Sequence, residues 1–223
     1  MDHILKKYCP RIEFDSYEDF CENFRIDVPE AFNFGFDVVD EWARVEPGKR
    51  ALVWCDDAGE ERAFTFSDIA RLSNKAANAL RKLGIGKGDV AMMILRRRWE
   101  YWVCAVALCK LGATIIPATL QLTSKDIAYR ANSAQVKMVV CVDDDYVCGQ
   151  MDRALPDSPS IAHRVVVAGE RAGWTAFDAL VANEPDTFAR PTGEAGVTSE
   201  DTMLIYFTSG TTGLAKAVCH NFA

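Results

Sequence analysis

The chain has 223 residues, 49% of them hydrophobic, and carries a formal charge of −7 from 25 Lys/Arg against 32 Asp/Glu. That length allows one large domain or two small ones, and that apolar content is enough for a packed core, so disorder is not the default. The acidic balance argues against a nucleic-acid or anionic-membrane surface, and no run approaches the ~18 apolar residues of a bilayer span. The opening Met1-Asp2-His3-Ile4-Leu5-Lys6-Lys7 lacks the apolar centre of a signal peptide. Eight cysteines without a C-x-x-C pair read as reduced thiols rather than a zinc site. The expected compartment is the cytoplasm, with no metal held by the chain.

In chain order, the stretch to about Phe32 mixes charge with Tyr17, Phe20 and Phe24 and predicts a helical lead-in packed on a larger body. Val38, Val39, Trp42 and Ala43 follow at helical spacing, stopped by Pro47-Gly48. Residues 51–55 and 62–66 flank Asp56-Asp57-Ala58-Gly59 and predict a hairpin. Ile69, Leu72, Ala76, Leu80 and Leu83 trace one face of a helix running from near Ser67 to Gly84. Val90 to Leu95 is a continuous apolar strand. Trp99 to Leu111 is apolar nearly all round, as a buried helix is, with Gly112 as its cap. Strands are expected at 114–116, 138–142 and 164–167. Helices are expected at about 124–132, 146–154 and 175–182. Alternating strands and helices predict an α/β fold, a largely parallel sheet with helices on both faces. Residues 184–200 are polar and rich in Pro, Gly and Thr, which marks a connection.

The chain then delivers the apolar run Met203-Leu204-Ile205-Tyr206-Phe207 into Thr208-Ser209-Gly210-Thr211-Thr212-Gly213-Leu214-Ala215-Lys216. Glycines let the main chain approach a ligand closely, and successive N–H groups in such a turn form an anion-binding concavity. Thr208, Ser209, Thr211 and Thr212 add hydroxyl donors, and Lys216 adds a compact charge that suits phosphate. An ordinary Gly/Ser/Thr turn is the plain alternative, and the closing lysine weighs against it. A Walker A loop needs Gly-x-x-x-x-Gly-Lys-Ser/Thr. Here Ala215 stands for its second glycine and Ala217 for its magnesium-binding hydroxyl, so a P-loop NTPase is disfavoured. A helix directly after Lys216 would revive it.

The string resembles the phosphate-loop signature of the adenylate-forming superfamily, Tyr/Phe-Thr-Ser-Gly-Ser/Thr-Thr-Gly-x-Pro-Lys, and departs from it only at Ala215, where that family has proline. Earlier stretches are similar to its medium-chain acyl-CoA synthetase branch: Phe32-Asn33-Phe34 before Asp37-Val38-Val39-Asp40, Gly84-Ile85-Gly86-Lys87-Gly88-Asp89, residues 117–127, and Gly173-Trp174. The resemblance implies part of the large N-terminal domain of such an enzyme. It divides the chain into a lead-in (1–32), an α/β subdomain (33–190), and a linker with the phosphate loop (191–223) that opens an incomplete second subdomain. It implies an AMP-forming acid–CoA ligase using Mg2+-ATP, coenzyme A and a small-molecule carboxylic acid. The carboxylate attacks the α-phosphate, pyrophosphate leaves, and the thiol then displaces AMP. Thr208, Ser209, Gly210, Thr211, Thr212 and Gly213 would hold ATP phosphates, Lys216 would stabilise charge, and Gln121 would lie near coenzyme A. The expectation is an N-terminal fragment, less than half of a full synthetase, inactive and weak for ATP by itself. The alternative is a truncated, non-catalytic binding module derived from such an enzyme.

Other motifs have plainer readings. Gly84-x-Gly86-x-Gly88 closes a helix instead of opening one, so it reads as a helix cap and turn, not a dinucleotide fingerprint. Arg96-Arg97-Arg98 beside Trp99, Tyr101 and Trp102 reads as a solvated edge, with an anion bound nearby as the other reading. Asp143-Asp144-Asp145 favours the start of the next helix. Cys104 and Cys109 are expected in the core, and His220 is expected to be structural. A loop glutamine capping backbone is the ordinary reading of Gln121.

Overall fold

The computed structural model describes residues 2–208 and 213–223. The lead-in contains α1 (Asp2–Tyr8) and α2 (Tyr17–Asn23). Of these two helices α1 packs on the body, through Ile4 and Tyr8 against Trp42, and the end of the lead-in joins it where Glu30 O accepts from Ser199 N–H and Phe32 packs against the core. The aromatics of the second half pack on one another instead: Phe20 and Phe24 stack at 4.8 Å, with Phe14 edge-on at 5.2 Å to Phe20. Tyr17 stays 76% exposed.

The helix expected around Val38 opens with a widened π turn, Gly35–Asp40, before α3 (Glu41–Val45). Two tertiary anchors bracket that turn. The buried Asn33 side chain donates to Cys109 O at 2.6 Å and accepts from Gly35 N–H at 2.9 Å. At the other end Asp40 accepts from Lys110 Nζ at 2.7 Å. Lys110 is fully buried and also donates to Asn74 Oδ1 (2.6 Å) and Ser73 Oγ (3.1 Å). Burial pulls the Lys110 ammonium below its ordinary value and pushes the Asp40 carboxyl up, each opposed by the other's charge.

A separate antiparallel hairpin follows, β1 (Arg50–Cys55) with β2 (Glu61–Thr65). Then α4 (Phe66–Lys82) begins on a capping box. Thr65 Oγ1 accepts from Asp68 N–H, and the Asp68 carboxylate accepts from Thr65 N–H. Gly84, with φ of +80°, turns the chain toward β3 (Val90–Ile94), so this glycine pattern ends a helix as expected. The buried helix α5 (Glu100–Leu111) ends at Gly112 in the left-handed region. A Cβ there would sit 2.7 Å from Val197 Cγ2, so the position requires glycine twice over.

The rest is β4 (Thr114–Pro117), α6 (Ser124–Ala134), β5 (Val136–Val142), α7 (Asp145–Ala154), β6 (His163–Val167), β7 (Thr175–Ala176), α8 (Phe177–Val181), β8 (Thr202–Thr208) and β9 (Lys216–Asn221). The helix expected at 175–182 is shorter, because its first two residues join the sheet as β7 beside β6. Asp144 caps α7 by accepting from Val147 N–H, while Asp143 and Asp145 share Arg171.

The seven-stranded sheet runs β7-β6-β5-β3-β4-β8-β9. Every neighbouring pair is parallel except β8–β9. Alternation along the strands feeds two cores. Met93, Leu95, Ile115, Val140 and Val165 face the layer of α4, α5 and α8. Met92, Ile94, Ile116, Val139, Cys141 and Val166 face that of α6 and α7. Covering on both faces is what permits such uniformly apolar parallel strands. All eight cysteines are free thiols. Among the described residues no helix is long and apolar enough to cross a membrane.

Candidate active site

Because β3, β4 and β8 are parallel, the loops leaving their carboxyl ends share one rim of the sheet, the edge where open α/β sheets bind ligands. The turn after β3 carries Arg96-Arg97-Arg98, the loop after β4 carries Thr119 and Gln121, and β8 leads into the glycine- and hydroxyl-rich stretch. A cleft of 310 Å³ lies between the first two, lined by Met93, Leu95, Arg96, Arg97 and residues 117–120.

The loop expected to hold phosphate sits at the tip of the β8–β9 hairpin. Thr208 pairs with Lys216 across its neck, and Thr208 Oγ1 donates to Lys216 O at 3.5 Å. Both residues are exposed. The Lys216 ammonium pairs with no described carboxylate. Gly213 takes φ of +94° with open space where a Cβ would be, so the glycine answers a backbone need. Ser209, Gly210, Thr211 and Thr212 lie outside the described residues.

The element after Lys216 is a strand antiparallel to β8. A P-loop NTPase requires a helix there, so that reading fails. His220 sits on β9 with its ring edge-on to Tyr206 at 5.7 Å, a packing contact between neighbouring strands.

Gln121 is exposed in the turn before α6. The glutamine that caps this helix is Gln150, whose Oε1 accepts from Ser124 N–H at 2.8 Å. The Gln121 side chain bonds no described residue, so the ordinary capping explanation does not apply to it. Of the arginines, Arg98 forks onto the buried Glu100 at 2.6 and 3.0 Å, which raises its guanidinium above its ordinary value. Arg96 meets the exposed Asp57 at 3.0 Å. Cys104 and Cys109 are buried, and burial pushes the Cys109 thiol up to about 12 and Cys104 higher.

One residue at this rim escaped the sequence reading. Tyr129, midway along α6, donates its hydroxyl to Ala215 O at 2.9 Å. Its ring also meets Phe207 edge-on at 6.3 Å. A tyrosine inside an amphipathic helix carries no local sign of a partner 86 residues away.

The comparisons agree with this architecture. The profile of the AMP-binding enzyme family matches residues 39–223, and the chain belongs to that family. It is 35% identical over 214 residues to acyl-coenzyme A synthetase ACSM3, mitochondrial, of Mus musculus, covering 93% of this chain and 36% of that protein. It is 38% identical over 203 residues to acyl-coenzyme A synthetase ACSM5, mitochondrial, of Rattus norvegicus, covering 87% and 34%. The crystal structure of the anthranilate CoA ligase AuaEII in complex with anthranoyl-AMP matches the fold with a TM-score of 0.78 at 22% identity, over 87% of this chain and 36% of that one. The chain thus spans about a third of the length of the curated relatives it matches.

Proposed function

We propose that this chain forms the phosphate-binding part of an ATP-dependent, AMP-forming acid–CoA ligase. The observation that carries the reading is the neck of the β8–β9 hairpin. It presents an exposed Thr208, a positive-φ Gly213 and a Lys216 ammonium unpaired among the described residues, all at the carboxyl rim of a parallel sheet. A polyanion fits that arrangement. The relatives are acyl-coenzyme A synthetases by name, which supports the ligase class.

In the proposed reaction a carboxylate oxygen attacks the α-phosphorus of ATP, and the bond to the β-phosphate bridging oxygen breaks. The products of this half are an acyl-adenylate and pyrophosphate. The thiol of coenzyme A then attacks the acyl carbon, loses its proton and releases AMP. This chain's residues act on the leaving group. Negative charge gathers on the β and γ phosphates as they depart. Lys216 and the donors of 208–213 stabilise it without reorganising, which lowers the barrier. Gln121, whose side chain bonds no described residue on the same rim, is assigned to contact coenzyme A. Mg2+ is assigned as the counter-ion that arrives with the nucleotide.

The test is acid-dependent ATP–pyrophosphate exchange by the native-length polypeptide, with carboxylic acids from acetate through medium-chain to aromatic. Exchange is expected with at least one acid, and Lys216→Ala is expected to lower it by ~10²-fold, the scale of losing one preorganised charge-stabilising donor. Silence with every acid, or exchange untouched by Lys216→Ala, refutes the reading.

A further inference from the structure

We infer that Tyr129 is a positioning residue that clamps the neck of the phosphate loop and supplies the rigidity that proline would otherwise give at position 215. The inference rests on the assignment of residues 208–216 to ATP phosphates.

The hairpin that carries the loop joins the sheet near its base, where Leu204 of β8 pairs with Ile115 of β4 and the Thr114 hydroxyl donates to Thr202 O at 2.9 Å. Beyond Leu204 its strand partner among the described residues is β9, which is exposed along its whole length. Residues 206–208 and 213–216 lie beyond that pairing, with Phe207 packed against the core on the α6 and α7 side. Proline at 215 would fix φ there, whereas Ala215 leaves it free.

Helix α6 reaches across to this end of the hairpin. The Tyr129 hydroxyl holds the returning arm at Ala215 O, 2.9 Å away. The same ring packs edge-on against Phe207 of the outgoing arm, and Arg130 lies 5.2 Å from the centre of the Phe207 ring. One side chain thus touches both arms beside the Thr208–Lys216 pair. The base of the clamp is firm. Ile127 and Ala131 are buried in the core, and α6 starts on a full capping box between Thr123 and Asp126. The Ala215 N–H bonds no described residue, so proline there would remove no hydrogen bond seen among the described residues.

The experiment compares wild type, Tyr129→Phe, Ala215→Pro and the double variant in the native-length polypeptide. Tyr129→Phe keeps the ring and deletes only the hydroxyl. Without nucleotide, amide hydrogen exchange at the paired neck residues 206–208 and 216–218 is expected to quicken about five-fold, the equivalent of the ~1 kcal/mol a hydrogen bond contributes net. The amides of α6 and β3–β6 should keep wild-type protection. The KM for ATP should rise by a similar factor, and Ala215→Pro in the Tyr129→Phe background should reverse both changes.

Unchanged exchange at the neck in Tyr129→Phe overturns the inference. So does protection lost throughout α6, which would make Tyr129 a packing residue, and so does failure of proline to restore the neck. If exchange behaves as expected but no variant, wild type included, binds ATP, the clamp stands and the phosphate assignment falls.

Discussion

Replacing Lys110 by methionine tests whether the widened Gly35–Asp40 turn is fastened to the body by charge. Methionine matches the unbranched stem but removes the ammonium that Asp40, Ser73 and Asn74 share at 2.7, 3.1 and 2.6 Å. Ser73 keeps a use for its hydroxyl, which already donates to Ala70 O. The loss falls on Asp40, left ionised beside an apolar side chain. Removing one partner of a buried pair costs about 3–5 kcal/mol. The Asp40 side chain is 28% exposed and regains some water, which places Lys110→Met near ~3 kcal/mol. With an m-value of about 2 kcal/mol/M, the urea midpoint should fall by about 1.5 M. Burial shifts both groups toward their neutral forms, so the pair stands against its own desolvation. Adding Asp40→Asn to Lys110→Met should therefore recover about half of the loss. A single variant within ~1 kcal/mol of wild type, or a double variant no more stable than the single, would refute the reasoning.

Two further expectations follow from the same geometry. Asp68 and Asp126 are held below the ordinary carboxylate value of 3.8, chiefly by the hydroxyls of Thr65 and Thr123 and then by their N–H groups. A depressed carboxyl stabilises the fold above its unfolded value and loses that contribution as pH falls through the folded value. Acid unfolding below pH ~3.8 should thus be less steep in Asp68→Asn/Asp126→Asn than in wild type; identical acid limbs would contradict this. Of the eight thiols, Cys21, Cys55 and Cys219 are exposed and Cys9, Cys104, Cys109, Cys141 and Cys148 are buried. A native titration with a disulfide reagent should show three fast thiols, and a fourth would reveal opening of the core.

Much of the fold was legible because its signals are local. The run 90–95 and the all-apolar helix before Gly112 state burial on every side. The capping boxes at Thr65 and Thr123 mark helix starts within four residues. The glycine and hydroxyl composition of 208–216 is equally local, which is why the loop stands out. What stayed hidden is tertiary. The widened turn at Gly35–Asp40 depends on Asn33 and Lys110 meeting from distant parts of the chain. The opening of the 175–182 segment is a strand only because β6 lies alongside. Tyr129 reads as one more amphipathic position until Ala215 is placed next to it.

The pairing of Ile115 with Leu204 also sets an order of assembly. Closing loops of such length carries an entropic penalty before any contact compensates it, so distant parallel pairings form slowly. The β8–β9 hairpin is joined by neighbouring residues and can form by itself early. Its orientation, however, is fixed only after β3, β4 and α6 are in place to receive it. The residues of the loop are thus consecutive in sequence, whereas their placement depends on β4 and α6, which are distant in the chain.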